Sequence, residues 1–93
     1  MPLETSPYDS AEFLKTKDQV VAYLEAAFED GDAALISHAL GVVARSEGMS
    51  EVAKQAGLSR ANLYKALAEN GNPEFATVLK VVQALGLKLT IAA

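Results

Sequence analysis

Helix-breaking residues divide this 93-residue chain at short, regular intervals: Gly31, Gly48, Gly57, the Asn-Gly-Asn-Pro run at 70–73 and Gly86. Between them the apolar residues recur at three- and four-residue spacing, the signature of amphipathic helices. No segment is long enough for an extended rod, and no apolar run approaches the roughly 20 residues of a membrane span. The pattern therefore predicts an all-α fold of five short helices around one core. Apolar residues make up 51% of the chain and aromatics only 6% with no Trp, so that core must be built from Leu, Val and Ala.

Residues 1–15 carry two of the three prolines and read as an arm in which Tyr8, Phe13 and Leu14 could dock on a surface. The remainder, 16–93, reads as one domain. Thr16 is placed to cap a first helix whose stripe is Val20, Val21, Leu24, Ala27 and Phe28, closed by Gly31. Asp32 is placed to cap a second helix with Leu35, Ile36, Ala39, Leu40 and Val43 inward, ending near Gly48. These two make an acidic section, 16–48. Over 50–69, Ser50 caps a helix through Gln55, and Ser59 caps another running to about Glu69. Asn72 as cap with Pro73 at the first helical position opens a last helix over 72–86, carrying Phe75, Val78, Leu79, Val82 and Leu85. The alternation Leu87-Lys88-Leu89-Thr90-Ile91 predicts a short C-terminal β-strand at 87–91. A lone strand needs a partner: either the same strand of a second subunit, making Leu87, Leu89 and Ile91 dimer residues, or a tail packed on its own domain.

The segment Ser50–Leu67 constrains function most. Two short helices joined by Gly57-Leu58-Ser59 must bury Val52, Ala53, Ala56, Leu58, Leu63 and Leu67. Ala53 is small where the helices cross, and Gly57 accepts the positive φ that ends the first. That is the spacing of a DNA-reading helix-turn-helix, whose second helix enters the major groove. With Leu63 and Leu67 inward, Arg60, Ala61, Asn62, Tyr64 and Lys65 lie on or beside the outer face, with Arg60 and Lys65 one turn apart. Arg offers two hydrogen bonds to guanine, Lys reaches guanine or phosphate, Asn suits adenine, and Ala leaves room for a thymine methyl. Ser50 and Ser59, at helix N-termini, suit phosphate oxygens.

Charge cuts both ways. The net charge is −4, unfavourable for nucleic acid, but residues 1–48 hold nine acids against three bases whereas 49–93 hold three acids against five bases. An acidic half joined to a mildly basic half suggests two binding faces. A helix-turn-helix used only for protein–protein contact is the alternative that the negative charge favours. Enzyme chemistry finds no support: the chain has no Cys, a single His38 on the second helix, and no nucleophile–base set or phosphate loop. No metal or cofactor is expected. The lack of Cys fits a reducing cytoplasm.

The strings Gly-Met-Ser-Glu-Val-Ala-Lys-Gln-Ala-Gly-Leu-Ser-Arg (48–60), Leu-Tyr-Lys-Ala-Leu (63–67), Gly-Asn-Pro-Glu-Phe-Ala-Thr-Val (71–78) and Ala-Leu-Gly-Leu-Lys-Leu (84–89) resemble the addiction-module antidote proteins. These are antitoxins of the HigA-like kind with a Cro/λ-repressor-type helix-turn-helix. The segments 8–14, Tyr23-Leu24, Ala39-Leu40 and Ala44-Arg45 extend the likeness to about residues 8–91. The resemblance implies a λ-repressor-like domain and a type II antitoxin. Such an antitoxin neutralises a RelE/ParE-like toxin and, as a homodimer, represses its own operon at a palindromic operator in double-stranded DNA. It further implies base reading by Arg60, Ala61, Asn62, Tyr64 and Lys65, and phosphate contacts from Ser50, Ser59 and the Asn70–Asn72 loop. Ala68 departs from the Ser expected there, which removes one hydroxyl and leaves the outer face intact. The acidic first half is the physical candidate for holding a basic toxin, since opposite charge both steers and covers.

Overall fold

The structure, a computed structural model, describes residues 16–68 and 71–92. Among the described residues it consists of five helices: α1 (Lys17–Asp30), α2 (Ala33–Glu47), α3 (Met49–Ala56), α4 (Arg60–Ala66) and α5 (Phe75–Ala84). Tyr8, Phe13, Leu14 and Asn70 lie outside the described residues.

The first two helices begin and end where their cap residues dictate. Thr16 Oγ1 accepts from the Gln19 N–H at 3.2 Å while the Gln19 side chain accepts from the Thr16 N–H at 3.1 Å, a reciprocal capping box. Gly31, at φ 79°, closes α1 in the left-handed conformation, and Asp32 caps α2 through the Ala34 N–H at 3.0 Å. α1 packs on α2, α2 on α3, and α3 on both α4 and α5.

α2 is the axis of this arrangement. The sequence pattern predicts a one-sided stripe, yet every residue from Ala39 to Ala44 is buried. Gly41 explains how: a Cβ there would stand 3.1 Å from the Leu67 carbonyl oxygen, so the missing side chain lets the end of α4 close onto α2. Leu40, Val42, Val43, Leu63 and Val81 are the largest fully buried side chains. Each contributes about 1.5–3 kcal/mol by leaving water.

Several sequence expectations are corrected. Ser50 does not cap α3: the helix starts two residues earlier than that cap would give, at Met49, with Gly48 (φ 106°) at the cap position and no side-chain cap bond. α4 stops at Ala66 rather than near Glu69. α5 starts at Phe75 behind Glu74, not at Pro73 behind Asn72. The reason lies at Gly71, whose N–H bonds the Ala68 carbonyl at 2.7 Å and whose Cα sits so close under the Lys65, Ala66 and Ala68 carbonyls that a Cβ would collide with them. The chain leaves that wedge extended, and the helix begins only after the extended Glu74 (ψ 153°). Leu35 (40% exposed) and Phe75 (67% exposed) were expected inside and lie outside, while Val81 takes the buried place on α5.

The β-strand expected at 87–91 is absent. A strand exists through its ladder, and among the described residues no other segment is extended beside this one. The Leu87 N–H is instead bonded to the Val82 carbonyl at 3.1 Å. Leu87 packs half-buried against the core, Leu89 lies along a groove with Phe28, Ile36 and Phe75, and Ile91 is fully exposed.

Candidate nucleic-acid interface

α3 and α4 are held together by three residues, each with its own task. Gly57, at φ 73°, ends α3 and donates its N–H to Lys54. Leu58 donates its N–H to the Ala53 carbonyl at 2.9 Å and packs partly buried against the core. Ser59 Oγ accepts from the Asn62 N–H at 3.0 Å and so starts α4. Val52, Ala53 and Leu63 join one buried cluster, as the spacing required. The cap uses one of the two acceptor lone pairs of Ser59 Oγ and does not use its O–H donor.

Leu63 and Leu67 turn one side of α4 into the core, and the five residues picked out by sequence are all exposed. They do not share one face. At about 100° per residue, Lys65 points directly away from Leu63 and Leu67, flanked by Ala61 and Asn62. Arg60 and Tyr64 lie on the flank instead, so Arg60 and Lys65 diverge by about 140° rather than standing one turn apart. The flank is ordered internally: Arg60 Nη2 donates to Tyr64 Oη at 3.4 Å, and the guanidinium carbon lies 5.5 Å from the ring centroid.

Two of the grooves beside α4 contain residues picked out by the sequence. One, toward α5, is lined by Asn62, Lys65, Gly71, Asn72 and Pro73 among others. The other, toward the α2–α3 corner, is lined by Arg45, Gly48, Met49, Ser50, Glu51, Arg60 and Tyr64. The predicted residues are thus sorted into two sets, with Asn62, Lys65 and Asn72 on one side and Ser50, Arg60 and Tyr64 on the other. Ser59, between them, is exposed at the start of α4. Arg45 was not singled out as a site by sequence, because a base in the last turn of a helix is ordinary compensation for the helix dipole. Only the turn at Gly48 brings it to the same groove as Arg60. Glu51, the acid in that groove, accepts from Gln55 Nε2 at 2.9 Å.

The described residues contain no group of three or more His, Asp or Glu side chains placed to hold a metal ion, and no described helix is long and apolar enough to cross a membrane. What the geometry defines, among the described residues, is a small all-helical domain with a short helix presented to solvent between two open grooves. The chain belongs to the family described as "probable addiction module antidote protein", whose model matches residues 4–93. It is also 42% identical, over 91 residues, to an uncharacterized protein of Haemophilus influenzae, a match covering 98% of this chain and 94% of that protein. No solved structure matches the chain. Membership of an antidote family implies a toxin as partner.

Proposed function

We propose that this protein is the antitoxin of a type II toxin–antitoxin module, that it neutralises a RelE/ParE-like toxin, and that it represses its own operon by binding a palindromic operator as a homodimer. The observation that carries the DNA-binding part is the disposition of α4: Leu63 and Leu67 fix it to the core while Arg60, Ala61, Asn62, Tyr64 and Lys65 stay exposed. In this reading α3 and α4 are a HigA-like, λ-repressor-type helix-turn-helix. The N-terminal end of α4 approaches the major groove. Arg60 and Lys65 read guanine edges, Asn62 an adenine edge, Ala61 gives way to a thymine methyl, and Tyr64 holds the Arg60 guanidinium against its ring. Ser50, Ser59, Asn70 and Asn72 take phosphates on either side.

Few bases serve each copy, so affinity requires two copies on half-sites about one helical turn apart. Leu89 and Ile91, the exposed apolar residues of the C-terminal segment, supply contact between copies, with Leu87 anchoring that segment to each core. The toxin is held by the acidic surface of α1 and the following turn, where Asp18, Glu25, Glu29, Asp30 and Asp32 are exposed. The protein works in the cytoplasm, beside its operon.

The test is a gel shift on the DNA upstream of its own gene at two salt concentrations. A specific complex that weakens steeply with salt is expected. Arg60→Ala should cost about 1–3 kcal/mol of operator discrimination and leave toxin binding unchanged. A folded chain that shifts no operator DNA would assign α3 and α4 to protein contact instead.

A further inference from the structure

The α2–α3 corner has a groove lined by two arginines from different elements. Arg45 comes from the last turn of α2 and Arg60 from the first turn of α4, and both line one groove with Ser50 and Tyr64. Arg45, Met49 and Tyr64 also line the adjoining groove that runs along α2 past His38, so the two form one continuous surface. Both arginines are exposed. Among the described residues Arg60 is engaged by the neutral Tyr64 alone, and Arg45 makes no ion pair or hydrogen bond with another described residue. Among the described residues Glu51 is the acid lining the groove, and it accepts a hydrogen bond from Gln55. Arg45 and Arg60 line the same groove, and an anion seated there would meet positive charge from both.

We propose that Arg45 is a phosphate-gripping residue for duplex DNA, closing with Ser50 on a backbone phosphodiester next to the base that Arg60 meets. This rests on the DNA-binding reading and extends it to a residue outside the α3–α4 pair. Its role is register: a phosphate fixed against α2 sets how far α4 enters the groove, and carries no sequence information itself. Arg45 and Arg60 therefore divide the work, with one holding the backbone and the other testing the base.

The experiment compares wild type, Arg45→Gln, Arg45→Lys and Arg60→Ala by fluorescence anisotropy, on the upstream DNA of its own gene and on an unrelated duplex of equal length, from 50 to 200 mM salt. Arg45→Gln should bind both duplexes roughly tenfold more weakly, and its plot of log affinity against log salt should be shallower by about 0.9. Arg45→Lys should keep the slope, because its charge remains. Arg60→Ala should lose preference for the operator over the unrelated duplex, which Arg45→Gln keeps. An unchanged salt slope for Arg45→Gln, with wild-type helicity and toxin binding, would overturn the proposal while leaving DNA binding intact. Failure of the wild type to bind either duplex would overturn both together.

Discussion

Leu63→Ala tests whether α4 is held by the core or merely lies against it. Leu63 is fully buried, in a cluster with Val52, Ala53, Leu40 and Val43. The change removes three carbons, worth about 0.8 kcal/mol each in transfer, roughly 2.4 kcal/mol together. A cavity term comes on top, because neighbours from two other helices cannot all collapse inward, which brings the expected loss to about 3–4 kcal/mol. For a domain of this size each kcal/mol moves the midpoint by about 4–8 °C, so the melting temperature should fall by roughly 15–25 °C. Leu35→Ala is the internal control: the residue belongs to the stripe expected to be buried but is 40% exposed, and it should cost under about 1 kcal/mol. Urea unfolding followed by circular dichroism gives both numbers from one slope, and the slope itself reports whether the transition stays cooperative. Equal losses for the two variants, or a Leu63→Ala protein within about 1 kcal/mol of wild type, would refute the claim that this side chain anchors α4.

Other outcomes follow from the local geometry. Gly57→Ala meets no atom within 4 Å, so its cost is purely the left-handed backbone at φ 73°, about 1–2 kcal/mol in thermal denaturation. Ser59→Ala removes the hydrogen bond to the Asn62 N–H and should cost about 1 kcal/mol, whereas Ser59→Asp should retain the cap and most of the stability. Gly71→Ala places a Cβ against three carbonyls and should displace the connection between α4 and α5, seen as chemical-shift changes spreading to Lys65 and Thr77. If the proposed dimer forms through Leu89 and Ile91, truncation after Lys88 keeps the packed Leu87 and the helical circular dichroism signal while light scattering reports a monomer. An unchanged dimer would move the contact between copies elsewhere.

Much of the fold is legible because the chain's punctuation is local chemistry. Thr16, Gly31, Asp32, Gly57 and Ser59 cap the helices they were expected to cap, since each acts on backbone groups no more than a few residues away. Failures occur where a distant partner decides. Nothing near Pro73 reveals that Gly71 is wedged beneath the end of α4, which delays the start of α5 to Phe75. The depth of α2 depends on Gly41 meeting Leu67, 26 positions away. The β-like alternation at 87–91 is real as a pattern, but a ladder is a property of two segments, and among the described residues no second one lies beside it. At the candidate interface, exposure of the five α4 residues followed from the inward Leu63 and Leu67. Their division into two sets did not, because linear spacing overlooks that residues five apart face different ways. Arg45 reaches the groove through the fold of the corner at Gly48, which no local pattern encodes.

The enclosed stretch from Ala39 to Ala44 has a consequence for how such a protein can diversify. A rod wrapped on every side offers no position where a bulkier or polar substitution escapes penalty, so drift there is all but forbidden. Novelty must accumulate on the outer helices, where α1 and α4 carry separate sets of solvent-facing residues. A library recoding both sets over a constant α2 would thus change the two exposed surfaces independently, with one inner strut serving every combination.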